Sequence, residues 1–194
     1  MSRRFTLLTA LLFLLALAGC SASGAASPEA AATQRIAESI EDGVVNDLQS
    51  IEALQQQSFG DSVYVVLSYR RMWNNRDETC LVAYETYQQP LRGWFSPGGS
   101  GSCTNNRAEP SATGLKIFGG TQIGQDPGEP DVSFVLGWAN DDRIVKVDIS
   151  WSDGYRQLAE VENGTVLAIR EGEAQVKSTV SLTESGEPVD VIRR

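Results

Sequence analysis

The chain contains no histidine. That absence removes whole classes of chemistry. Ser-His-Asp and Cys-His nucleophile systems need an imidazole to take and return a proton. HExxH zinc sites and His-ligated copper or iron sites need its ring nitrogens as ligands. Cysteine is nearly as scarce: Cys20, Cys80 and Cys103 are the three in 194 residues. Positive charge is short as well, with 16 lysines and arginines against 25 aspartates and glutamates, a formal charge of −9. A phosphate backbone repels such a surface, so nucleic acid is not an expected partner. The acidity reads more simply as what keeps an exported domain soluble. Long apolar runs are missing except near the start of the chain. There Phe5–Ala18 is mostly Leu, Ala and Phe, too short for a stable span, which needs about 20 apolar residues.

Arg3 and Arg4 precede that run and small residues close it, which is the pattern of a secretory signal peptide over residues 1–19. Ser2-Arg3-Arg4-Phe5 approaches a twin-arginine signal, but Thr6 breaks the consensus. The closing residues Leu17-Ala18-Gly19-Cys20 resemble the lipobox of bacterial lipoproteins. The resemblance implies that the Cys20 thiol receives a diacylglycerol, that the chain is cut just before it, and that the new amino group is often acylated too. A nucleophilic sulfur is what formation of the thioether requires. Two or three acyl chains, at roughly 0.8 kcal/mol per buried CH₂, hold a protein firmly. Loss of Arg3 and Arg4 takes the mature formal charge to −11, so the expected membrane contact is the lipid rather than basic side chains. Ser21 stands where an Asp is often associated with inner-membrane retention. An extracytoplasmic position follows, at the outer membrane if the host has two. The resemblance is confined to the first twenty residues and says nothing of the domain behind them.

Exported proteins usually pair their cysteines. Cys80 and Cys103 allow one intramolecular bridge, closing 22 intervening residues and contributing about 3 kcal/mol in the chain-entropy model. Two free buried thiols are the alternative. With Cys20 acylated and the others bonded, no soft-metal site remains, and no cofactor is expected.

Residues 20–33 (SASGAASPEAAAT after Cys20) are small and uncharged apart from Glu29, and read as a lipidated flexible tether. A β-rich domain is expected over 34–194, with a possible sub-boundary near 105–113. Ile36, Ile40, Val44 and Leu48 recur every four positions, predicting a short helix from Gln34 to about Leu48. IEALQQQ and DSVYVVLSYR flank Ser58-Phe59-Gly60 as a hairpin, and Asp77–Tyr87 is a further strand. Beyond Asp131, strand-like runs alternate with turn signals at Asn140-Asp141-Asp142, Ser152-Asp153-Gly154 and Asn163-Gly164, which indicates a sandwich or barrel.

Register follows from which loop length matches the faces. A three-residue loop with Gly154 in αL sets Val145, Val147, Ile149 and Trp151 opposite Val161, Ala159, Gln157 and Tyr155. A two-residue turn at Asn163-Gly164 sets Val166 opposite Val161 and Ala168 opposite Ala159. A four-residue turn upstream pairs Trp138 with Val145, Leu136 with Val147 and Phe134 with Ile149. The resulting apolar face needs a second sheet, expected from Val63–Tyr69, Leu81–Tyr87 and Val176–Leu182. The fold class is thus all-β: an antiparallel β-sandwich-like domain with a short N-terminal helix after the tether.

Few residues offer chemistry. GWFSPGGSGSC (93–103) has the glycines of a phosphate loop but no GK[ST] ending and no helix pattern behind it, and reads as a disulfide-bounded surface loop. Asp126, Glu129 and Asp131, with Asp141 and Asp142, offer oxygens suited to Ca²⁺, but EF-hand spacing is absent and solvated acidic turns are the simpler reading. No spacing selects a glycosidase pair among them. Trp73, Trp94 and Phe95 lie beside turn-rich segments and outside the alternation, which makes them candidate anchors for a glycan or a partner protein. The expected role is a lipid-anchored, non-catalytic binding or assembly domain of the cell envelope. A carboxylate-only hydrolase and a structural surface protein without a ligand are the alternatives.

Overall fold

In a computed structural model of the chain, the helix α1 spans Pro28–Glu41, six residues earlier than the apolar spacing predicts. The structure describes residues 24–41, 48–73, 75–105, 114–122 and 131–193. Cys20 and the lipobox-like residues before it, Val44, most of the 105–113 region, Asp126 and Glu129 lie outside them. The early start has a local cause. Ser27 Oγ accepts a hydrogen bond from the Ala30 N–H at 3.2 Å, as an N-cap does. Pro28 occupies the first turn, where its missing N–H costs nothing. Glu29 faces the positive end of the dipole, and three alanines follow with the best helix propensity. Residues 28–33 are therefore helix and not tether. Their small side chains let the helix sit close to a sheet, with Ala32 and Ile36 fully buried.

That sheet has four antiparallel strands in the order β1 (Ser50–Phe59), β2 (Ser62–Trp73), β3 (Arg76–Gln89), β4 (Gly93–Asn105). The expected hairpin around Gly60 is present, with Phe59 opposite Ser62. The 93–103 segment is not a surface loop but strand β4, hydrogen-bonded along β3 from Gln89–Gly93 to Glu78–Asn105. Its glycines are what β3 requires. A Cβ on Gly101 would stand 2.2 Å from the Leu81 carbonyl oxygen, and one on Gly99 would stand 2.7 Å from the Tyr84 ring. Cys80 and Cys103 are direct cross-strand partners, and they form the expected disulfide.

The second sheet has seven strands: β5 (Leu115–Gln122), β6 (Val132–Ala139), β7 (Lys146–Trp151), β8 (Arg156–Glu162), β9 (Thr165–Glu171), β10 (Val176–Leu182) and β11 (Pro188–Arg193). Their spatial order is β11-β10-β7-β8-β9-β6-β5, curled into a nearly closed barrel. The β7–β8 register is the one a three-residue loop demands, with Val147 opposite Ala159 and Ile149 opposite Gln157. Gly154 has φ +88°. Val147, Ile149 and Trp151 point inward, while Lys146 reaches Glu160 on the outer face at 3.3 Å. The Asn163-Gly164 turn sets Val161 opposite Val166. The β8–β9 ladder then ends, and Ala168 pairs with Val135 of β6 instead of Ala159.

Two expectations for this half are overturned. β6 does not form a hairpin with β7; Leu136 lies opposite Leu167 of β9, and Phe134 opposite Ile169. The turn explains why. Asp141 accepts from the backbone N–H of Arg143 at 3.0 Å and pairs with its guanidinium at 2.7 Å. These bonds, the side-chain one foremost, lower the Asp141 pKa to about 2. The chain then drives Ile144 into the barrel interior, and the Val145 N–H bonds Leu182 of β10. Val176–Leu182 likewise belongs to this sheet, between β7 and β11, and not to the sheet of β2 and β3.

Three apolar layers result. Ala32 and Ile36 of α1 meet Val65, Leu67, Tyr69, Val82 and Tyr84 on one face of the four-stranded sheet. Tyr64, Val66, Leu81 and Ala83 on its other face meet Phe134, Leu136, Leu167 and Ile169 of the barrel wall. Val135, Val147, Ile149, Trp151, Val166 and Ala168 fill the barrel. No helix among the described residues is long and apolar enough to cross a membrane.

Candidate functional site

Strand alternation gathers one set of polar and aromatic side chains on the helix-side face of the four-stranded sheet. Tyr69, Arg71 and Trp73 recur every second residue along β2, as do Glu78, Cys80, Val82 and Tyr84 along β3 and Gly99, Gly101 and Cys103 along β4. The ladder puts Tyr69 opposite Cys80, Arg71 opposite Glu78, Val82 opposite Gly101 and Tyr84 opposite Gly99. Beyond the C-terminal part of α1, where Ser39 contributes a hydroxyl, these residues line a cleft of about 550 Å³. Gly99 and Gly101 contribute no side chain to the cleft, and a Cβ at either would clash with β3.

Its electrostatics are settled by one ion pair and two phenols. Arg71 and Glu78 pair at 3.1 Å with both side chains largely buried. The Arg71 guanidinium also lies 4.9 Å from the centroid of the Trp73 ring, a cation–π arrangement that holds the indole in place. Burial pushes the Tyr84 hydroxyl well above the usual tyrosine range, with nearby Tyr69 adding to the shift and Arg35 opposing it. Tyr69 is also raised, by burial first, against Arg71 and with Glu78. Both phenols therefore stay neutral and able to donate a hydrogen bond throughout the physiological range. Trp73 is 38% exposed at the strand end.

The three nominated aromatics all lie on strands, and they do not converge. Trp94 and Phe95 start β4, paired with Gln88 and Tyr87, whereas Trp73 faces Arg76 at the other end of the sheet. Arg76 and Gln88 are twelve residue steps apart along β3, about 40 Å at 3.3 Å each. Phe95 stacks on Tyr87 at 6.1 Å, and Trp94 exchanges backbone hydrogen bonds with Ala25. Tyr69, Arg71, Glu78 and Tyr84 carry no loop or motif signal; the Tyr-x-Arg-x-Trp spacing of β2 is the sequence pattern that marks this face.

Glu78 lies within 4.8 Å of both disulfide sulfurs. Those sulfurs are bonded to each other and Glu78 to Arg71, so the trio is not a set of free metal ligands. Asp141 is engaged by Arg143. A second hollow of about 440 Å³ at the barrel is lined by Gly119, Gly120, Phe134, Gln175 and Lys177 among others, with no carboxylate among the described lining residues. No family model, curated protein or solved structure matches this chain.

Proposed function

We propose that this chain is a lipoprotein of a bacterial cell envelope, anchored through Cys20, whose β-domain binds an envelope glycan in the Trp73 cleft without catalysing a reaction. The observation that carries the binding reading is the half-exposed Trp73 ring at the edge of a cleft rich in hydroxyls. A sugar offers an apolar face to an indole and hydroxyls to neutral polar groups. Tyr69, Tyr84, Ser39 and Ser102 supply such groups, and the Arg71–Glu78 pair supplies a planar donor and acceptor. Among the described residues, Glu78 is the one carboxylate in the lining, and it is spent on Arg71. That favours binding over a hydrolase, which would need two carboxylates facing a bond.

Trp73→Ala should weaken retention on purified cell-wall glycan by a hot-spot amount, about 2 kcal/mol or roughly thirtyfold in Kd, while the melting temperature holds. Equal retention by wild type and variant would remove the cleft from consideration. For the anchor, Cys20→Ala should abolish incorporation of a fatty-acid analogue and release the protein from membranes. Undiminished labelling of that variant would refute lipidation at Cys20.

A further inference from the structure

We infer that the tip of the β3–β4 hairpin, with Leu91 as its apolar point, rests in the interfacial region of the bilayer that holds the Cys20 acyl chains. The inference builds on the lipoprotein reading. Leu91 is fully exposed, at 108% of its reference surface, and has φ +63°, a backbone region that glycine or asparagine occupies far more readily. A leucine there gains nothing from the fold: it neither packs nor relaxes the turn.

The chain beside it explains what it meets. The Gly24 N–H bonds the Arg92 carbonyl, and the Ala25 N–H bonds the Trp94 carbonyl at 2.8 Å. Gly24 and Ala25 are thus laid against the hairpin tip. Three residues stand between Cys20 and Gly24, so the two Cα atoms lie no more than about 14 Å apart at full extension. An acylated Cys20 sits at the membrane surface, and the tip cannot be far from it. Local charge agrees. From Thr86 to Asn105 the chain has no carboxylate and one cation, Arg92, in a protein of formal charge −9. Arg92 lies 5.3 Å from the Phe95 ring centroid, and the half-buried Trp94 stands behind it. A leucine point, a cation and an indole in that order suit the passage from acyl boundary to headgroups. Asp61, in the neighbouring β1–β2 turn, limits the depth to the interface.

The test uses the full acylated chain in vesicles of phosphatidylethanolamine and phosphatidylglycerol containing radiolabelled phospholipid. A benzophenone amino acid is placed at position 91, or at position 75 in the exposed β2–β3 turn at the far end of the same sheet. Acyl content is measured on the same samples. Lipid adducts at position 91 should exceed those at position 75 by about tenfold or more, as interfacial insertion of one tip requires. Equal adducts on a fully acylated protein would overturn this inference and leave the anchor standing. Absence of acyl chains on Cys20 would overturn the anchor and this inference together.

Discussion

Trp151→Ala should cost about 3–5 kcal/mol of folding stability, read from the denaturant midpoint. Trp151 is 1% exposed and is the largest of the fully buried side chains. It fills the barrel beside Ile149, Val147 and Ala174, and Arg170 lies 5.4 Å from its ring centroid. Removing the indole leaves a hole that strands on several sides of a nearly closed barrel cannot collapse to fill. Trp151→Phe separates volume from polarity. The indole Nε1 is buried and makes no hydrogen bond among the described residues. Losing that N–H therefore removes a desolvation penalty along with some volume, and the phenylalanine variant should recover more than half of the alanine loss. An alanine variant within about 1 kcal/mol of wild type would show that the barrel relaxes freely, contrary to its close packing.

Replacing both Cys80 and Cys103 with alanine should lower stability by about 3 kcal/mol, and reduction of the wild type should do the same. The two sulfurs join residues 23 apart in sequence. In the native state those residues are already held side by side by the β3–β4 ladder. The bond therefore adds little order to the folded sheet and acts mainly on the unfolded chain, where it closes a loop that would otherwise open. The double variant should accordingly keep its β-sheet circular dichroism at low temperature and differ chiefly in its melting curve. A variant that loses sheet signal under native conditions would mean that the bond holds β4 in place directly.

The parts of this fold that were legible before the structure are those buried on one side only. β7 alternates Val147, Ile149 and Trp151 with Lys146, Asp148 and Ser150, so its face and register follow from turn length. β2, β3, β6 and β9 are covered on both faces and carry runs such as Tyr64–Leu67, Leu81–Tyr84 and Val166–Ile169 with no alternation. Such runs announce a strand but not its partner. The turn signal at Asn140-Asp141-Asp142 therefore points to the sequence neighbour β7, whereas β6 pairs with β9. β4 was hidden for the opposite reason. Its glycines look like loop, yet Gly99 and Gly101 are small because Tyr84 and Val82 cross above them. The start of α1 was obscured because alanines bury without an apolar stripe. Within the candidate site, the disulfide is legible in the sequence. That Trp73 and the pair Trp94 and Phe95 lie at opposite ends of the sheet is not, because spacing along a strand is invisible when the strand reads as a loop.

The layer where Tyr64, Val66, Leu81 and Ala83 meet Phe134, Leu136, Leu167 and Ile169 joins the two halves of the chain on either side of residues 106–113. Neither half can satisfy that layer alone. A chain severed between Asn105 and Gly114 would yield two polypeptides, each displaying a dry strip of aromatic and aliphatic side chains on an otherwise completed sheet. Each fragment would aggregate or bind chaperones on its own, and the pair would reassociate when mixed, since the complementary strip is the best available cover for either. The protein is thereby suited to fragment complementation, with a reporter restored only when both pieces reach the same compartment.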